Sequence, residues 1–168
     1  MQIAKFPNAY EINISARSNA FLEFSTDNNI MYEIYTGPGN KIIPGFVFTS
    51  DIIYFGFCPK GNHVNDEKVI FTIMNFLLDL LEDKNAIAAY IYSAAEDLHD
   101  ARERYFNRLY NKYNDGSIFK MDFNLGADGK AVMLYRLDNV NFESLQNLTA
   151  EEIILRIEDK EKYIEYYE

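Results

Sequence analysis

Seven apolar residues in a row, Ala86-Ile87-Ala88-Ala89-Tyr90-Ile91-Tyr92, stand between two segments whose apolar side chains recur at helical spacing. A strand this uniformly apolar has no face to give to water, so both of its faces must be covered. The run therefore predicts an internal strand at 86–92 with a layer of structure on each side. Upstream, Val69, Ile70, Ile73, Phe76, Leu77 and Leu80 predict a helix over 66–82, stopped at Lys84-Asn85. Downstream, a second helix is predicted over 97–113, entered through Ser93-Ala94-Ala95-Glu96 as a capping box or through Asp97 as the cap.

The first third of the chain has a different period. Short aromatic-rich runs alternate with turn residues, which predicts antiparallel strands at 10–16, 20–26, 30–36, 41–48 and 52–58. Turns are expected at Asp27-Asn28-Asn29, at Gly37-Pro38-Gly39-Asn40 and at Thr49-Ser50-Asp51, with Pro44-Gly45 bending the fourth strand. Two more strands, at 117–124 and 130–137, flank Gly126-Ala127-Asp128-Gly129. A last helix is expected from Thr149 to about 163, started by a Thr149/Glu152 capping box with Leu148 and Ile153 as a hydrophobic staple. The fold class is α+β: a mostly antiparallel sheet of about seven strands with three covering helices, in one domain over 1–168.

Composition narrows function. With 26 acidic against 16 basic side chains, net charge is -10, so direct nucleic-acid binding and adhesion to an anionic membrane are both disfavoured. No stretch approaches the roughly 18 apolar residues of a membrane span, and the opening MQIAKFPNAYEINIS has no apolar leader. Cys58 is the sole cysteine, which suits a reducing compartment, and the expected location is cytoplasmic. With two histidines, His63 and His99, and that one cysteine, no recognised set of zinc ligands exists. A Cys58–His63 nucleophile and base is conceivable on paper, but Cys58 ends an aromatic strand where a small buried hydrophobe fits.

Against the acidic background, the helix over 97–113 carries Arg102, Arg104, Arg108 and Lys112. Arg104, Arg108 and Lys112 follow each other at four-residue intervals along one edge, where Asp100 pairs with Arg104 and Arg108 is solvated. Arg102 falls on the apolar side of the wheel, between Leu109 and Tyr113. A guanidinium there needs a carboxylate, for which Asp66, Asp97 and Asp122 are the candidates, and the residue is either a structural anchor or a site.

Asp66 before a helix containing Thr72-Ile73, then Tyr90-Ile91, then Ala101-Arg102-Glu103-Arg104-Tyr105-Phe106 resemble a bacterial family of unknown function. That family's resemblance implies no activity. The order of hairpin strands, helix, central strand, helix and two final strands is also similar to the C-terminal part of GNAT acetyltransferases, and Tyr110 falls where those enzymes carry a tyrosine acid. GNAT enzymes hold the coenzyme A pyrophosphate on a glycine-rich helix start. The corresponding stretch here, Lys60-Gly61-Asn62-His63-Val64-Asn65-Asp66-Glu67, has no glycine in the first helical turn and places two carboxylates there instead. No cofactor is expected. The function expected is a non-catalytic interaction module on a degenerate GNAT-like scaffold. Its partner would be a protein, with a second copy of the chain among the candidates. The alternatives are a diverged acyl-CoA-dependent N-acyltransferase and an acidic mimic of nucleic acid. The tail tyrosines Tyr163, Tyr166 and Tyr167 either cap the core or face a partner.

Overall fold

A computed structural model describes residues 5–15, 21–41, 43–61, 66–92, 99–126 and 129–156, with the side chains at 41, 92, 99–102 and 105 outside that description. Its strands are β1 (Asn13–Ile14), β2 (Phe21–Ser25), β3 (Met31–Pro38), β4 (Ile52–Pro59), β5 (Ile87–Tyr92), β6 (Ile118–Asn124) and β7 (Lys130–Arg136). The helices are α1 (Glu67–Leu80), α2 (His99–Tyr113), α3 (Phe142–Gln146) and α4, which begins at 150 and is described to 156. All seven strands form one sheet in the order β1-β2-β3-β4-β5-β7-β6. Every pairing is antiparallel except β4 with β5, which run parallel because α1 carries the chain back across the sheet between them. The chain is thus α+β, as its periodicities require.

The apolar run at 86–92 becomes β5, inside the sheet between β4 and β7. Alternation sends Ala88 and Tyr90 to a first face, with Phe24, Ile34, Phe55 and Leu134, beneath Ile73, Phe76 and Leu77 of α1. Ile87 and Ala89 go to the second face, where Ile52, Met133 and Tyr135 meet Ile43, Phe48, Leu145, Leu148 and Ile153. The helix over 149 onward starts as its sequence demands. Glu152 Oε2 accepts from the Thr149 N–H at 2.9 Å, Thr149 Oγ1 accepts from the Glu152 N–H at 3.2 Å, and Leu148 and Ile153 are both buried.

The expected strand at 41–48 does not form. Among the described residues, Lys41 ends a 3-10 turn that starts at Gly39, and 43–48 are irregular and cover the second face through Ile43 and Phe48. Pro44 brings no N–H to a ladder, and Gly45 sits at φ +85. Thr49 supplies the bonds a ladder would have made: its Oγ1 accepts from the Phe46 N–H at 2.9 Å and donates to the Ile43 carbonyl at 3.2 Å. Thr49–Asp51, expected as a turn, forms a second 3-10 turn. Of the strand expected at 10–16, Asn13 and Ile14 are the ladder residues among the described ones, whereas Gly37 and Pro38, expected in a turn, still pair with Tyr54 and Ile53. The short helix α3 has no counterpart among the expected elements.

Candidate functional site

β4 and β5 are joined for a short distance, Ile52, Ile53 and Tyr54 lying opposite Ile87, Ala88 and Ala89. Beyond that β4 remains paired with β3 as far as Pro59, and β5 with β7 as far as Tyr92, but no ladder joins the two to each other. Two parallel strands that part at their carboxyl ends leave a wedge in the sheet, the kind of crevice in which open α/β sheets take ligands. Aromatic side chains fill the wedge on the first face. Phe55 and Tyr90 meet edge-to-face with ring centroids 5.3 Å apart, and Phe106 of α2 lies 5.5 Å from Tyr90 and 5.7 Å from Phe57.

On the second face Tyr35 lies directly over Gly56, where a Cβ would fall 2.1 Å from the tyrosine ring. Glycine at this position is what lets the ring down onto the strand. Beside it, burial pushes the Tyr54 hydroxyl up to about 12, with Tyr35 as the neighbouring hydroxyl. An unfolded tyrosine ionises near 10.0, so between pH 10 and pH 12 the unfolded chain releases this proton and the folded chain keeps it. Stability should therefore fall as pH rises through that window, by on the order of 2 kcal/mol for this group. The difference between the alkaline melts of the parent and of Tyr54→Phe, which cannot ionise, measures it.

Asp66 is built into the start of α1, beside Tyr10 and the turn at Asp27. Asp66 is the N-cap: Oδ1 accepts from the Lys68 N–H at 2.8 Å, and Oδ2 accepts from the Tyr10 hydroxyl at 2.7 Å. The Tyr10 oxygen also accepts from the Asp27 N–H at 3.1 Å, and burial, with Asp66 alongside, holds its pKa above the ordinary value. Lys68 closes the ring of contacts, donating to Asp27 Oδ2 at 2.9 Å and lying 4.5 Å from the Tyr10 ring centre. Thr72 Oγ1 accepts from the Tyr10 N–H at 2.8 Å and donates to the Lys68 carbonyl at 2.7 Å. The helix N-terminus, which elsewhere serves as an anion site, thus already holds an anion of its own chain.

α2 crosses the first face above β5, β7 and β6. Arg104 and Arg108 are exposed, Leu109 is buried, and Lys112 reaches Glu67 of α1 at 3.7 Å. Arg102 lies in α2, but its side chain is outside the described residues, as is the whole of Asp97. The candidate partner Asp122 is engaged by Lys120, two residues away on β6, through both carboxylate oxygens. Tyr110 is half-buried and donates its hydroxyl to the Ile118 carbonyl at 2.8 Å, and burial raises its pKa. Glu103 receives Lys130 of β7 at 2.6 Å, which ties the helix to the sheet. Among the described residues no three His, Cys, Asp or Glu side chains are placed to hold a metal ion, and no helix is long and apolar enough to cross a membrane.

Tyr10 and Lys120 carry no sequence signal of their own, and Thr72 is signalled only by the Thr72-Ile73 resemblance. Tyr10 sits in what reads as an edge strand, 56 residues before Asp66, and Lys120 reads as the solvated position of an alternating strand. No curated protein matches the chain. A family model described as a family of unknown function, DUF6169, matches residues 65–149, which run from the start of α1 through β5, α2, β6 and β7 to the end of α3. Asp66, the arginines of α2, Tyr110 and Lys120 all fall inside that stretch, and the chain belongs to the family of unknown function DUF6169.

Proposed function

We propose that this protein is a non-catalytic interaction module on a GNAT-like scaffold whose acyl-CoA slot is closed by the chain's own side chains. The scaffold reading is supported by the strand order, by a single parallel pair joined through α1, and by the parting of that pair at its carboxyl ends. The observation that carries the loss of catalysis is Asp66. Its carboxylate already occupies the Lys68 N–H at the helix start, and a second carboxylate, Glu67, follows in the first turn. A pyrophosphate brought there would meet negative charge in place of open backbone donors. The rings of Phe55, Tyr90, Phe57 and Phe106 pack together where β4 and β5 part.

An interaction role is supported at the opposite end of the sheet. Val47 is 87% exposed and Val140 64% exposed, on two loops tied together by Asn141 Nδ2 donating to Asp51 Oδ2 at 3.0 Å. Two exposed valines on loops bonded to each other offer an apolar contact to a protein partner.

The parted strands also support the rival reading, an acyl-CoA-dependent N-acyltransferase with a diverged cofactor loop. Calorimetric titration with acetyl-CoA decides between the two. No saturable heat is expected at physiological concentrations, and a dissociation constant in the low micromolar range or tighter would install the enzyme reading in place of the module.

A further inference from the structure

On the first face α1 and α2 leave a cavity of about 220 Å³ between them, floored by Leu134 of β7 and by Ile118 and Lys120 of β6. Leu78 of α1 and Leu109 of α2 are buried in its walls. Close packing normally removes voids larger than a water molecule from a core. An apolar cavity of about 150 Å³ stays dry and takes up benzene. By proportion this one holds about nine non-hydrogen atoms. Its lining also includes the rings of Tyr90, Phe106 and Tyr113, whose edges and faces suit an aromatic guest.

One wall is charged. The Lys120 side chain is 8% exposed, and among the described residues its ammonium is held by Asp122 alone. An ammonium has three donors. A carboxylate engaged through its two oxygens takes two of them, which leaves the third N–H of this cavity-lining residue for a further acceptor. A ligand oxygen would complete it. Among the described residues Asp115 also lines the cavity and Asp122 holds the ammonium beside it, two carboxylates against one ammonium, on a chain of net charge -10. That balance disfavours an anionic ligand.

We propose that the cavity between α1 and α2 is a binding site for a small neutral aromatic molecule carrying one acceptor oxygen, with the ring among Tyr90, Phe106 and Tyr113 and the oxygen on the Lys120 ammonium. The site is distinct from the wedge between β4 and β5, although Tyr90 and Phe106 border both.

The test is a titration of the full chain, methyl-labelled, with three probes of equal heavy-atom count: acetophenone, its anionic counterpart benzoate, and cumene, which lacks the oxygen. Acetophenone should saturate below about 1 mM and move the methyl signals of Leu78, Leu109 and Leu134. Cumene should bind about tenfold more weakly, the loss of roughly one hydrogen bond, and benzoate more weakly than acetophenone. Lys120→Met should remove the preference for acetophenone over cumene, and Asp122, 44% exposed, keeps its hydration in that variant. Met74→Trp, which fills the hollow from α1, should abolish the shifts. Should the bulky variant fail to fold, the methyl map of the parent chain and the Lys120→Met comparison carry the test alone. Absence of saturation by acetophenone, shifts confined to other methyls, tighter binding of benzoate, or an undiminished preference in Lys120→Met would each overturn the proposal.

Discussion

Phe55→Ala is expected to cost about 4 kcal/mol of folding stability, read as a shift in the urea midpoint at unchanged slope. The ring is 1% exposed and stands where β4 leaves β5, edge-on to Tyr90 at 5.3 Å and to Phe76 of α1 at 6.2 Å. Past Tyr54 the two strands have no ladder between them, so side chains alone hold the sheet together at that level. Truncation removes ring contacts to both sides of the wedge and to the helix above, and the backbones of β4 and β5, each bound to its outer neighbour, cannot close on the void. Phe57→Ala, at a half-buried position touching Phe106 alone among the described rings, should cost about half as much. A loss below about 1.5 kcal/mol for Phe55→Ala would mean that the parted strands relax together, and the wedge would then be a flexible seam with room for a ligand. The same measurement therefore bears on function: a filled wedge that resists collapse is structural, and one that closes freely is not.

What could be read from the sequence was what depends on neighbours in the chain. The seven apolar residues of 86–92 could only be an internal strand, the spacing from Val69 to Leu80 could only be a helix with a buried face, and Thr149 with Glu152 could only be its start signal for α4. Asp66 was legible as an acid at a helix start, because capping is local. The misreading of 41–48 arose where two local preferences conflict. Ile42, Ile43, Phe46, Val47 and Phe48 favour a strand, while Pro44 and Gly45 break the ladder, and Thr49 Oγ1 offered the backbone a cheaper set of bonds. The helix α3, five residues long, is too short for any periodicity to emerge. The aromatic filling of the wedge was illegible for a different reason. It brings together rings from β4, β5 and α2, and no local pattern distinguishes a phenylalanine that plugs a gap from one that pads a core.

Asp66 offers the sharpest separation of energies, because one carboxylate makes two unlike bonds. Asp66→Ala removes an N-cap, which costs about 1 kcal/mol, and deprives the Tyr10 hydroxyl of a charged acceptor at 2.7 Å, worth about 2 kcal/mol. The expected total is about 3 kcal/mol, lost with no change of fold. Asp66→Asn keeps the cap, since asparagine is as good at that position, and keeps a neutral acceptor for Tyr10, so its cost should be about 1 kcal/mol. Tyr10→Phe breaks the second bond from the other side while leaving the cap in place. In a double-mutant cycle of Asp66→Ala with Tyr10→Phe the two losses should overlap by about 1.5 kcal/mol, the coupling through the shared bond. The position matters beyond its energy, because Tyr10 also accepts the Asp27 N–H and fixes Thr72 through its own N–H, so the carboxylate pins the N-terminal segment and the turn before β3 to the start of α1. Were Asp66 instead waiting for a ligand, its removal would leave stability nearly unchanged and the two substitutions would add without coupling. Denaturant melts of the four proteins distinguish these cases, and additive losses below about 0.5 kcal/mol each would take Asp66 out of the scaffold and return the helix start to the list of open anion sites.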